Sequence, residues 1–257
     1  MLELFLTELK RIWTEFIRYP VDAIAGVIVT TFIFYGLFLS ARYIAGPSLQ
    51  FGDRLDAIVV GYVMWILVVF IVSDIAFGLQ IEAQTGTLEQ VFLSPFGTLR
   101  VFLARAIASL TLRLVLIGVV LLLTIVLTGR HLHFPPYLLL PLITVLLGAY
   151  GLGFMMGALA LLFKRIQQLL SLVQFALLFL LTFPTETWKG PLQVLRLVLP
   201  MTLGAGELRD LMARNQSLDF SVFALALLNG VAYFVLGLLV FGWAEGKAKR
   251  EGILGGY

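Results

Sequence analysis

Six times this chain runs for about 20 residues with almost no charge, the length a helix needs to cross the hydrocarbon core of a bilayer. The runs extend from about Val21 to Tyr43, Ala57 to Ile81, Val101 to Thr128, Tyr137 to Phe163, Gln168 to Phe183 and Leu218 to Trp243. Composition points the same way. Sixty per cent of the residues are hydrophobic and 13% are charged, whereas a soluble domain needs about 25% charged residues for its wet surface. The expected fold class is an all-α integral membrane protein with six transmembrane helices.

Lysine and arginine placement sets the orientation, because they accumulate in cytoplasmic segments. With the N-terminus inside, Lys10, Arg11, Arg18, Arg100, Arg105, Lys164, Arg165, Lys247, Lys249 and Arg250 are cytoplasmic, ten in all. The outer side then holds Arg42, Arg54, Arg130, Lys189, Arg196, Arg209 and Arg214, seven in all. Both termini are expected on the cytoplasmic side. The net charge of +3 is too small to suggest a nucleic-acid partner.

Three segments fall outside the spans. In residues 1–20, Leu2, Phe5, Leu9, Ile12, Trp13 and Phe16 recur at helical spacing, while Glu3, Glu8, Lys10, Arg11 and Glu15 fill much of the other face. That pattern predicts an amphipathic helix in the inner interface, followed by a six-span domain over 21–257. The stretch from about 82 to 95 is polar at its start and sits on the inner side. The outer segment, about 185 to 217, contains an apolar run from Leu192 to Leu199 that Pro200 closes. This run is far too short to span, so a re-entrant or interfacial helix is expected.

Several chemistries have no residues to carry them. There is no cysteine, which excludes disulfides and thiolate catalysis. No phosphate loop of the glycine-to-lysine-serine kind occurs, so the chain has no ATP site of that type. His131 and His133 are the only histidines, no carboxylate is close in sequence, and Pro135-Pro136 follow, so an outer turn is expected and no metal site. A Ser, His and carboxylate set at one depth is missing too. No enzymatic activity and no cofactor are expected of this chain.

Two groups of residues inside the runs stand out. Asp74 and Arg113 are the ionisable residues deepest within the spans, each about 10–12 Å from the inner boundary. A charge there costs at least about 2.5–3.5 kcal/mol, so a buried ion pair between neighbouring spans is expected. Phe175, Phe179 and Phe183 recur every four residues on the fifth run, with Gln174 as its only mid-span amide. Such stripes ordinarily pack against lipid or helices, but an aromatic wall with few polar groups also suits an apolar or amphipathic substrate, which makes Gln174, Phe175, Phe179 and Phe183 candidates for a translocation path.

The segment Glu82-Ala83-Gln84-Thr85-Gly86-Thr87-Leu88-Glu89, followed by Leu93-Ser94-Pro95, resembles a signature of ABC-2 type permeases, the membrane subunits of many bacterial ABC exporters. Leu199-Pro200-Met201-Thr202 with Glu207-Leu208-Arg209 is similar to that family's outer segment, although Met201 and Leu203 depart from its Pro-Leu-Thr-Tyr-like turn. The resemblance implies that 82–95 is a cytoplasmic coupling helix, with Glu82, Gln84, Thr87 and Glu89 facing an ATPase. It further implies a second permease copy as partner, a homodimer in the bacterial inner membrane, and separate ABC ATPase subunits that bind the ATP and Mg. In that family the path is lined chiefly by the second and fifth spans, and transport proceeds by alternating access. From the residues alone, a self-contained channel or secondary transporter stays open as the alternative. Such a protein favours buried acidic or histidine relays, and only Asp74 and Arg113 are available.

Overall fold

The computed structural model describes residues 2–45, 52–87, 90–91, 93–94, 96–163 and 166–251, and these contain no strand. Helix α1 (Leu2–Arg18) stops because Pro20 disfavours the helical conformation at Tyr19. Pro20 then opens helix α2 (Pro20–Ala45), where its missing N–H is an unpaired donor position anyway. Glu3 in the first turn of α1 and Arg18 in the last complement the helix dipole.

Helix α3 (Gly52–Thr85) has 34 residues. At 1.5 Å per residue it is about 51 Å long and overreaches a hydrocarbon core of about 30 Å. It ends at Gly86, whose φ of 72° lies in the left-handed region. Thr87 N–H donates to Glu82 O (3.0 Å) and Gly86 N–H to Ala83 O (3.4 Å), the paired bonds of a Schellman end. Glu82 and Gln84 therefore belong to the last turns of α3, and the separate coupling helix expected from about residue 82 can only begin after Gly86. Gln90 and Val91 are helical. Glu89 and Pro95 lie outside the described residues.

Helix α4 (Thr98–Thr128) leads through a short 3-10 turn at Pro136–Leu138 into α5 (Leu139–Leu162). Helix α6 (Gln167–Thr182) follows, then a 3-10 turn at Thr185–Thr187, two short helices α7 (Pro191–Val198) and α8 (Thr202–Ala213), and finally α9 (Phe220–Glu251). Among the described residues five helices, α2, α3, α4, α5 and α9, are long and apolar enough to cross a membrane. Helix α6 occupies the fifth expected run but has only 16 residues, about 24 Å. It runs antiparallel to α3, with Gln174 beside Ser73 and Leu181 beside Gly61.

Helix α3 is the centre of the bundle. Of its apolar window 72% is buried, against 17% in each of α2, α4 and α9. The remaining tight contact is between α5 and α9. A Cβ at Gly151 would strike the Tyr233 carbonyl, and one at Gly237 would strike the Gly151 carbonyl, so the two backbones touch. Close approach of this kind is how helices associate where lipid tails are as apolar as leucine. The bundle has two ends: one carries α1 with the α3–α4 connection, and the other carries α7 and α8.

Candidate functional site

At the α1 end, four side chains form one ionic chain. Glu82 at the end of α3 pairs with Arg105 of α4, Arg105 Nε lies 3.5 Å from Glu8 Oε1, and Glu8 Oε2 lies 2.9 Å from Arg11 Nη2. The amphipathic pattern put Glu8 on the polar face of α1, but the structure turns it inward, with 8% of its surface exposed. Arg105 is the reason: a cation on α4 makes the packed face of α1 a favourable place for one carboxylate. Trp13 of α1 donates its indole N–H to Thr111 Oγ1 (3.3 Å), so α1 follows α4 over several turns. Beyond this chain Gln84, Thr85 and Thr87 stay exposed, with Thr85 Oγ1 and Thr87 Oγ1 3.0 Å apart.

About two turns deeper, the structure brings Asp74 and Arg113 together. Arg113 Nε donates to Asp74 Oδ2 (3.0 Å) and Nη2 to Oδ1 (2.7 Å), and the guanidinium stands 4.7 Å from the Phe70 ring centre. This is the bidentate geometry that suits arginine and carboxylate. Sequence reasoning placed the pair in a buried setting, yet 28% of Arg113 and 29% of Asp74 remain exposed. Asp74 borders a cavity of about 550 Å³ enclosed by α1, α3, α4 and Tyr150 of α5.

Gln174 and the aromatic stripe take different directions. Gln174 Nε2 donates to Ser73 Oγ (2.9 Å), and its carbonyl accepts from Trp65 Nε1 (2.9 Å), so the residue faces α3. Phe175, Phe179 and Phe183 face out of the chain, 50–62% exposed, with ring centres 5.2 and 6.0 Å apart. An amide at position i and a ring at i+1 are about 100° apart on a helix of 3.6 residues per turn, so one residue of offset separates the two faces.

The opposite end holds a polar helix in a buried place. Every residue of α8 from Thr202 to Arg209 is buried, Arg209 completely. Its Nε donates to Glu186 Oε1 (2.6 Å) and its Nη1 to Leu181 O (2.5 Å) at the end of α6. Arg214 lies 3.7 Å from the same Glu186 oxygen and also pairs with Asp210. Burial pushes the Glu207 carboxyl up from 4.5 to about 7; a hydrogen bond with the Asp219 backbone opposes this, the charges of Asp210 and Asp219 add to it, and Arg196 opposes it. The preceding turn is held from α9. Asn229 Nδ2 donates to Leu197 O (2.9 Å) and Tyr233 OH to Val198 O (2.9 Å), which satisfies carbonyls at the end of α7. The run Leu192–Leu199 is thus an exposed helix, and the fully buried element is its neighbour α8. Among the described residues no three His, Cys, Asp or Glu side chains converge as metal ligands would.

The family model described as ABC-2 type transporter matches residues 3–213, which is α1 through α8. The chain belongs to that family. No curated protein matches it. As an ABC-2 protein it is a transmembrane permease component of an ABC transporter and not the nucleotide-binding ATPase. ABC-2 permeases normally work with an ABC ATPase.

Sequence reasoning about this permease missed Arg105 as the shared partner of Glu82 and Glu8, and Glu186 as the partner of Arg209. It counted Arg209 among the outer-side charges that set topology. The available signal was Gly204-Ala205-Gly206, three small residues that let a helix carrying Glu207 and Arg209 come close to its neighbours.

Proposed function

We propose that two copies of this ABC-2 permease form the membrane half of an exporter, with both termini cytoplasmic and α6 serving as a sixth crossing. The observation that carries this reading is the α1 end. The α3–α4 connection presents Gln84, Thr85 and Thr87 outward while Glu82, Arg105 and Glu8 tie its base to α1 and α4. A push on an exposed turn does mechanical work only if the turn is anchored to the spans, and here the anchor is ionic and spans three helices.

In the proposed cycle, separate ATPase subunits bind ATP and Mg and close against each other. Their closure moves the exposed turns, and α3 and α4 carry the displacement through the bundle. The two copies rock between inward-open and outward-open arrangements, and the substrate moves because its affinity for the two differs. The stripe Phe175, Phe179 and Phe183 on α6 lines the two-fold path together with α3. Gln174 acts from behind it, fixing α6 to Ser73. The Asp74–Arg113 pair holds α3 and α4 together as they move.

Charge reversal at Glu89 tests the coupling. In reconstituted complex with the ATPase, Glu89→Lys is expected to leave membrane insertion and ATP hydrolysis intact and to abolish hydrolysis-linked transport. Normal coupling ratios in that variant would remove the turn from the ATPase interface.

A further inference from the structure

We propose that the cavity between α1, α3 and α4 is a binding site for a membrane phospholipid whose zwitterionic head carries a primary ammonium beside its phosphate. None of the residues lining the site is on α6, although Ser73, to which Gln174 of α6 donates, is one of them. The site does not depend on the reading of this chain as an exporter.

The first argument is depth. Tyr62 OH donates to Thr30 O (3.1 Å), which fixes the levels of α3 and α2 against each other. Ten residues back along α2 is Pro20, and ten forward along α3 is Val72, about 15 Å in each case. The start of α2, with Arg18 and Asp22 on either side of Pro20, is therefore level with the Asp74 turn. Charges at a span's first turn mark the headgroup zone, so the cavity beside Asp74 sits where a bilayer places polar heads.

The second argument is charge. Glu15, Asp74 and Glu82 line the cavity against Arg11 and Arg105, three carboxylates to two guanidinium groups. The set has both signs in reach of one ligand, with an excess of acceptors. Glu82 Oε2 lacks a hydrogen-bond partner, and Arg105 Nε has only the long 3.5 Å contact with Glu8 Oε1. A carboxylate oxygen without a donor and a guanidinium N–H with only a long contact are what an ammonium and a phosphate, linked two carbons apart, can satisfy together. Leaving such buried charged groups unsatisfied is costly, and a ligand that satisfies both gains what the empty site lacks.

The third argument is shape. The cavity of about 550 Å³ is walled on its other sides by Ile12, Ile71, Ile75, Phe77, Ile81 and Phe102. Past the Asp74–Arg113 pair, a second, apolar cavity of about 150 Å³ lies among α3, α4, α5 and α8, lined by Met64, Leu67, Leu114, Ile117, Leu142 and Leu208. A compartment with charged groups at head-group level and apolar walls is the form of an amphiphile site.

Native mass spectrometry of the full chain in detergent, delipidated and then offered lipids of identical acyl chains, tests this. Phosphatidylethanolamine should be retained about ten-fold over phosphatidylcholine, whose quaternary ammonium has no N–H to donate, and over phosphatidylglycerol, which has no cation. Gly78 lines the cavity and has open space where a Cβ would stand. Gly78→Leu should therefore bring retention down to the phosphatidylcholine level, and the nearly isosteric Glu82→Gln should do the same without adding bulk. Circular dichroism identifies which variants keep the native helix content. Equal retention of the three lipids overturns the proposal, as does an ethanolamine preference that survives both changes in folded protein. If dodecylamine binds in a Glu82-dependent way while phosphatidylethanolamine shows no preference, the site takes a single-chain cation and the phospholipid assignment fails.

Discussion

The two ends of this permease are built from the same chemistry, arginine against carboxylate, and differ in how much water reaches it. At the α7–α8 end Arg209 is completely buried and Glu186 nearly so, with 10% of its side chain exposed. At the α1 end Arg11 is 51% exposed and Arg105 21%, and the ion pairs border a cavity. A buried pair repays its desolvation only while both partners are present, so removing one strands the other. An exposed pair in high dielectric contributes little and loses little. The α8 end is therefore sealed around Arg209, whereas at the α1 end the Glu82–Arg105 anchor is partly buried and the chain opens to water at Arg11.

The largest expected effect breaks the sealed pair. Glu186→Gln or Arg209→Met should each destabilise the full chain by about 3–5 kcal/mol, read as loss of thermal stability in detergent. The double change should recover part of that loss. If each single change costs under about 1 kcal/mol, water reaches the α8 end after all and the contrast between the ends disappears.

Asp74 and Arg113 fall between the extremes. Their geometry is ideal but more than a quarter of each side chain is exposed. Neutralising either should cost about 1–2 kcal/mol, below the value for a sealed pair. In a double-mutant cycle the losses should be non-additive, and additivity would show that the two act independently.

The next effect depends on pH. The folded Glu207 carboxyl holds its proton up to about pH 7, whereas an unperturbed one releases it near 4.5. The folded state binds the extra proton, so this contribution is fully present below about pH 4.5 and is lost as pH rises through about 7. Thermal stability should fall across that window, and Glu207→Gln should flatten the fall. An unchanged slope in that variant assigns the titration to another group. Asp210, raised chiefly by burial, acts in the same direction.

The smallest effect belongs to Arg11. Its partner Glu8 also has Arg105, and half of Arg11 is exposed. Arg11→Ala should change stability by no more than about 0.5 kcal/mol. A loss several times larger would mean that the α1 end is as closed as the α8 end.

Much of this fold was legible before any coordinates. Five apolar runs became long helices because their hydrophobicity and length leave a helix as the means of satisfying the backbone in lipid. Pro20 and Gly86 end helices by local conformational rules, yet the coupling helix expected from about residue 82 ran through Gly86. The pattern around Glu82–Pro95 led to the family that the match over 3–213 establishes. The sites were less legible. Glu8 read as a surface charge from periodicity and Arg209 as a loop charge from its neighbours in sequence, and both are wrapped in protein. Gln174 and Phe175, adjacent in the chain, serve different faces.

The sequence by itself determined the number and placement of most helices, since apolar length and turn residues act within a few residues of themselves. Only the tertiary structure decided which charges are buried and with whom they pair. That outcome depends on which helices meet, and Glu8 with Arg105, or Glu186 with Arg209, meet across segments with no local pattern linking them. Burial is a property of the assembled surface, and for a charged side chain it sets whether the same ion pair locks a helix or leaves a site open.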